Sequence, residues 1–253
     1  MIKVILIGSG NVAQHLIKAF AKSKKVSVIQ AFSRQNESLI HLLDSNKITN
    51  NFAEIVEADL YIIAVSDDAI ASVFSQLPFE NRLVVHTSGS VSIVSLDIKN
   101  KKGVFYPLQT FTKNAVVDFS QIPICLESEH DEDMNLLEKV AREISNKVFK
   151  INEEQRKSLH VSAVFVNNFV NYMYQIGNEI CNENNVPFEI LKPLILETAN
   201  KVMTLAPYKA QTGPAKRNDT KTIESHLDFL SNKNHATIYK ILSQSIQNNG
   251  KKL

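Results

Sequence analysis

The chain has 253 residues, a formal charge of +2 with His neutral, and a hydrophobic fraction of 44%. That length supports one large domain or two ordinary ones. A charge this close to zero argues against nucleic-acid or membrane-surface binding driven by bulk charge. The two cysteines, Cys125 and Cys181, make no disulfide framework, and Cys125 sits in an apolar run that suits a buried strand thiol. No stretch has transmembrane length, and the N-terminal apolar run is too short for a signal peptide, so a cytoplasmic protein is expected.

The first element predicted is a strand, Ile2 to Ile7, followed at once by Gly8-Ser9-Gly10-Asn11-Val12-Ala13 and a helix with Val12, Leu16, Ala19 and Phe20 at helical spacing. This is a G-x-G-x-x-A dinucleotide fingerprint in its proper strand–turn–helix setting. Gly8 permits the tight turn, Gly10 lets a pyrophosphate approach the backbone, and Ala13 lets helix and sheet pack closely. The helix start offers free N–H groups to the phosphates. The alternative is a plain βα turn with no ligand.

Val26 to Phe32 reads as the second strand. Sites for NAD carry an acidic residue at its end. Here Ser33-Arg34 stands there instead, which suits a 2′-phosphate, although a solvated Arg is the alternative. A helix is expected over Leu39 to Ser45 and a third strand over Leu60 to Val65. Ser66-Asp67-Asp68 follows, with Asp67 as a candidate cap for the next helix. Leu83 to His86 is the fourth strand, and Thr87-Ser88-Gly89-Ser90 after it is a candidate ligand loop or the cap of a short helix. Val104-Phe105-Tyr106 leads into the extended turn Pro107 to Phe111. Strands at Ile122 to Leu126 and Val148 to Ile151 flank an amphipathic helix, Glu132 to Ile144. Alternating strands and helices argue for a largely parallel α/β sheet over residues 1–152.

After Asn152 the pattern is helical only. Asn152 to Gln155 forms a capping box that opens a long helix to about Cys181. Its middle, Leu159 to Ile176, is apolar on nearly every face and is expected to be buried all round. Further helices are predicted over 188–205, with a kink or restart at Pro193, and over 220–230 and 235–247. Residues 153–253 therefore read as an all-helical second domain.

Within the long helix, His160, Val164, Asn167, Asn168 and Asn171 fall close to one face. They either make structural polar contacts or face a nicotinamide cleft between the domains. The stretch Thr212-Gly213-Pro214-Ala215-Lys216-Arg217-Asn218-Asp219 either closes over an anionic ligand or is a solvated loop, with Asp219 as a helix cap in both cases. The seven histidines show no zinc-ligand spacing, so no metal is expected.

These pieces, with Val65-Ser66-Asp67, His86 to Ser90, Pro107 to Phe111, and His160 with Asn167-Asn168-Phe169, carry a resemblance. The chain resembles the pyrroline-5-carboxylate reductase and 6-phosphogluconate dehydrogenase superfamily, with its N-terminal Rossmann domain and helical second domain. More closely it is similar to a bacterial family of NADP oxidoreductases whose helical domain, family 2520, is labelled only as of unknown function. The resemblance implies NADP binding and a dimer, and supplies no substrate. Tyr106 departs from the His of that pattern, and Asn218 from its Gly.

The expected function is NADP(H)-dependent hydride transfer with a small polar substrate, an imine or a carbonyl, at the interdomain cleft. The alternative is a non-catalytic NADP(H)-binding sensor or scaffold. Expected cofactor contacts are Gly8, Ser9, Gly10, Asn11, Val12, Ser33, Arg34, Val65, Ser66, His86, Thr87, Ser88 and Gly89. His160 is the candidate proton donor and Asn168 orients the substrate. Asn167, Thr212, Gly213, Lys216 and Arg217 bind it, the last two meeting an anionic group. A homodimer through the helical domain is expected, because that domain has little surface of its own to bury the long helix.

Overall fold

The structure is a computed structural model that describes residues 1–113 and 115–249. Residues 250–253, the end of the predicted helical domain, lie outside the described residues. The strands are β1 (Ile2–Ile7), β2 (Val26–Phe32), β3 (Ile48–Thr49), β4 (Leu60–Ile63), β5 (Leu83–His86), β6 (Lys101–Pro107), β7 (Ile124–Ser128) and β8 (Val148–Lys150). They form one sheet in the order β3-β2-β1-β4-β5-β6-β7-β8. All its pairs are parallel except β6 with β7. The order reverses about β1, so the crevice for a ligand opens beyond the carboxyl ends of β1, β2 and β4.

Helices α1 (Asn11–Phe20), α2 (Asp67–Ser75) and α3 (Asp131–Arg142) cover the sheet. Alternation along β1 explains the two cores. Val4 and Leu6 join Leu16, Ile17 and Phe20 of α1 on one face. Ile5 and Ile7 join Ile70 and Phe74 of α2 on the other. All four β1 side chains are fully buried.

Two expectations for this region are corrected. Residues 39–45 form no α-helix: 3₁₀ turns at Asn36–Ser38 and Ser45–Lys47 bracket a turn, and Leu39 alone among these residues is fully buried. So short a segment, ending in Asp44-Ser45-Asn46, does not cover the cost of helix nucleation. The N-cap of α2 is Ser66; Asp67 is its first helical residue, and its carboxylate accepts from Ser90 Oγ at 2.5 Å.

Two compact units divide the chain, Met1–Val164 and Phe165–Leu253. The boundary therefore falls inside the long helical stretch, where the sequence pattern placed it at 152/153. The stretch opens with α4 (Glu153–Ala163), whose capping box is formed in both directions by Asn152 and Gln155. A π-helical turn, Val164–Phe169, separates it from α5 (Val170–Glu183). Asn167 and Asn168 lie within that turn, where the spacing of an α-helix no longer applies.

The second unit continues with α6 (Lys192–Thr204), α7 (Pro207–Ala210), α8 (Thr220–Phe229) and α9 (Lys233–Asn249), and no strand is present among its described residues. Pro193 begins α6 rather than kinking a helix, the position where its missing N–H costs nothing. Burial of the long helix all round is also corrected. Val161, Phe165, Val166 and Phe169 are exposed, Val166 by 74%. Among the described apolar residues of the second unit only Cys181 and Ala215 are buried. No helix among the described residues is long and apolar enough to cross a membrane.

Candidate functional site

A groove of about 740 Å³ lies beyond the carboxyl ends of β1, β2 and β4. Gly8 to Val12 form its floor. Gly8 has φ +131°, and a Cβ there would collide with the Ala64 carbonyl, so the turn requires glycine. Nothing lies within 4 Å of a Cβ built on Gly10, which leaves room for a ligand against the backbone. Gly10 is the N-cap of α1; it makes no side-chain cap bond, and no acidic residue occupies the first turn. A helix start left without a side-chain partner or a carboxylate fits a pyrophosphate.

Ser33, Arg34, Val65 and Ser66 line the same groove, as expected from the sequence. Arg34 is exposed, whereas Ser33 is buried and its hydroxyl donates to Gln35 O at 2.7 Å. Ser33 thus shapes the turn, and the cationic group lining this end is Arg34. The Asn11 side chain donates to Phe111 O at 2.8 Å, tying the start of α1 to the turn after β6. The groove also has walls that the sequence did not reveal: Phe52, stacked on Phe32 with ring centroids 4.1 Å apart, Ser72 and Val73 of α2 with Gln76 at its C-cap, and Gln109 and Phe111.

The loop after β5 is built from its own side chains. His86 is fully buried, and its Nδ1 accepts from the Ser88 N–H at 3.1 Å. Burial, assisted by the nearby Arg156 charge, pushes the His86 pKa down to about 4. A neutral ring accepting at Nδ1 carries its proton on Nε2, which has no partner among the described residues. His86 therefore supports the loop through the Ser88 N–H. Ser88 Oγ accepts from the N–H groups of Ser90 and Val91, and Thr87 N–H donates to Ile63 O.

Arg156, on α4, is fully buried and was not singled out by sequence. Its Nε donates to Glu127 Oε2 at 2.9 Å, and its Nη1 donates to the carbonyls of Val91 at 2.8 Å and Ser88 at 3.4 Å. One guanidinium therefore ties the loop, β7 and α4 together. A turn further along α4, His160 Nδ1 lies 3.2 Å from the Tyr106 hydroxyl. A Cβ on Gly89 would lie 2.5 Å from His160 Nδ1 and 2.9 Å from Tyr106 Cζ. His160 thus meets the loop after β5, as the sequence suggested. Burial pushes the Tyr106 pKa up to about 12, so its phenol stays protonated at neutral pH.

The remaining candidates belong to the second unit. Asn167 and Asn168 are exposed on the π-helical turn, and Thr212, Lys216 and Arg217 are exposed in the loop before α8. Gly213 and Asn218 both have positive φ, +102° and +54°. Asn tolerates that conformation better than other side-chain-bearing residues, so it can stand where the resemblance places Gly. Asp219 caps α8 by accepting from the Thr222 N–H. No cluster of three or more His, Cys, Asp or Glu among the described residues is placed to hold a metal.

Residues 3–89 match the family described as NADP oxidoreductase, coenzyme F420-dependent, and residues 122–246 match a domain of unknown function, DUF2520. A Bacteroides fragilis protein assigned as an NADP oxidoreductase is 40% identical over 98% of both chains, with a TM-score of 0.87. This chain belongs to that oxidoreductase family. A Streptococcus pyogenes 1-pyrroline-5-carboxylate reductase shares the fold at 14% identity, covering 100% of this chain and 99% of the other, with a TM-score of 0.64. So does a Myxococcus stipitatus imine reductase variant in complex with NAD+, at 16% identity, 100% and 94% coverage and a TM-score of 0.62. No curated protein matches the sequence.

Proposed function

We propose that the protein is an NADP(H)-dependent oxidoreductase that moves a hydride to or from a small polar substrate of the imine or carbonyl class. The observation that carries this reading is the groove whose floor is the glycine turn and whose ribose end presents Arg34 in place of a carboxylate. Bound there, the nicotinamide cofactor supplies or accepts the hydride. The backbone N–H groups of Gly10 to Val12 hold the pyrophosphate, and Arg34 pairs with the 2′-phosphate. His160 exchanges a proton with the reacting heteroatom, a role suited to an imidazole near neutral pH. Asn168 orients the substrate, and Asn167, Thr212, Gly213, Lys216 and Arg217 bind it, with the two cations meeting an anionic group.

The exposed apolar residues of the second unit support a homodimer made through it. Phe165, Val166, Phe169, Leu194, Leu196 and Met203 are all at least 49% exposed, more apolar surface than a monomer ordinarily leaves in water.

The test is NADPH absorbance with a panel of cyclic imines, with and without a carboxylate, and small keto acids. Two fold neighbours are named as reductases of such C=N substrates and motivate the imine half. Turnover of any member supports the enzyme. Tight NADPH binding with no turnover across the panel favours a sensor.

A further inference from the structure

The Tyr106–His160 contact has a chemical consequence for the proton-transfer role given to His160, and the inference rests on that role. Tyr106 is the penultimate residue of β6, opposite Cys125 of β7, and its hydroxyl is 3.2 Å from His160 Nδ1. The two rings lie 6.2 Å apart at 60°. The charged and titratable groups that bear on Tyr106 are Cys125, Asp67 and Arg156. Gly89 closes the third side, and its missing Cβ lets the loop backbone press against the Nδ1 edge of the imidazole. That edge is enclosed by Tyr106 and Gly89, while Nε2 lies across the ring from it.

We infer that Tyr106 is a positioning residue that holds His160 by Nδ1 and so makes Nε2 the atom that gives and takes the proton. With His160 protonated, Nδ1–H donates to the phenol oxygen, and the proton available for transfer is the one on Nε2. On delivery the Nε2–H bond breaks, its electron pair stays on the ring, and the substrate nitrogen or oxygen gains the proton. The neutral ring that remains keeps its proton on Nδ1, still donated to the phenol oxygen, and Nε2 carries the lone pair that takes the next proton. A hydroxyl is suited to this because its oxygen accepts from Nδ1–H in both forms. Burial keeps that hydroxyl protonated throughout the working range.

The experiment reads the ring nitrogens directly and needs no substrate. The full-length protein is labelled with ¹⁵N-histidine, and His160 is assigned by comparison with His160→Gln. With its ring neutral, the parent His160 should show Nδ1 protonated and hydrogen-bonded and Nε2 unprotonated. In Tyr106→Phe, the two ring resonances should move as the proton redistributes towards Nε2. A parent spectrum with the proton on Nε2 would overturn the inference even if Tyr106→Phe failed to fold. So would ring resonances unmoved by the substitution. NADPH-dependent turnover by His160→Gln tests the underlying role separately. Full activity there would remove the catalytic assignment and leave the tautomer result standing.

Discussion

Gly89 is tightly packed against His160 and Tyr106. Its substitution by Ala puts a Cβ 2.5 Å from His160 Nδ1, so either the loop or the imidazole must move. Overpacking of this kind typically costs about 1–3 kcal/mol. Gly89→Ala should lower the thermal midpoint and sharply reduce turnover, and an unchanged midpoint would count against the packing described. His86 makes a pH prediction. Its folded pKa, about 4, lies below the ordinary 6.5, so the unfolded chain binds the extra proton. Its contribution to stability is complete above pH 6.5 and is lost as pH falls towards 4. At 1.36 kcal/mol per unit the loss approaches roughly 3 kcal/mol. Urea unfolding between pH 7 and 4 should show this slope flattened in His86→Gln. At this scale the sequence exposed what is local. Gly8, Gly10 and Arg34 are legible because a turn and a strand end fix their neighbours. Phe52 and Arg156 were not, because nothing near them in sequence says that one stacks on Phe32 and the other is buried against Glu127.

The start of α4 joins several elements of the first unit. Arg156 connects it to β7 and the loop after β5, and Glu153 accepts from Ser92 Oγ at 2.5 Å. Replacing Arg156 by Met leaves Glu127 without its buried partner. Removing one member of such a pair costs about 3–5 kcal/mol. Urea unfolding of Arg156→Met should show a loss of that order, and a loss within experimental error would make the latch inconsequential. Asn152→Ala, which removes half of the capping box, should cost only about 1 kcal/mol. Periodicity identified most strands and helices of the sheet unit, because buried strands and amphipathic helices print their faces on the sequence. It failed where packing overrides pattern. The helix expected over 39–45 lacks the length to nucleate, and the long helix carries a π-helical turn at Val164–Phe169 that no residue pattern announces.

The molecule combines a sheet unit with a well-filled core and a helical unit that buries few of its own apolar side chains. The proposed homodimer through the helical unit would resolve that imbalance. Light scattering at micromolar concentration should give twice the chain mass, and Phe169→Asp combined with Met203→Asp should shift it towards the monomer. A monomeric parent would contradict the assembly. The proposal that the groove beyond β1, β2 and β4 takes a phosphorylated pyridine dinucleotide is tested most directly by titrating the parent and Arg34→Ala with NADPH and NADH, following nicotinamide fluorescence. The parent should bind NADPH more tightly than NADH. Arg34→Ala should lose about 1.5–3 kcal/mol towards NADPH, roughly tenfold or more, with NADH nearly unchanged. Equal affinity for the two cofactors in the parent, or no binding of either, would contradict it.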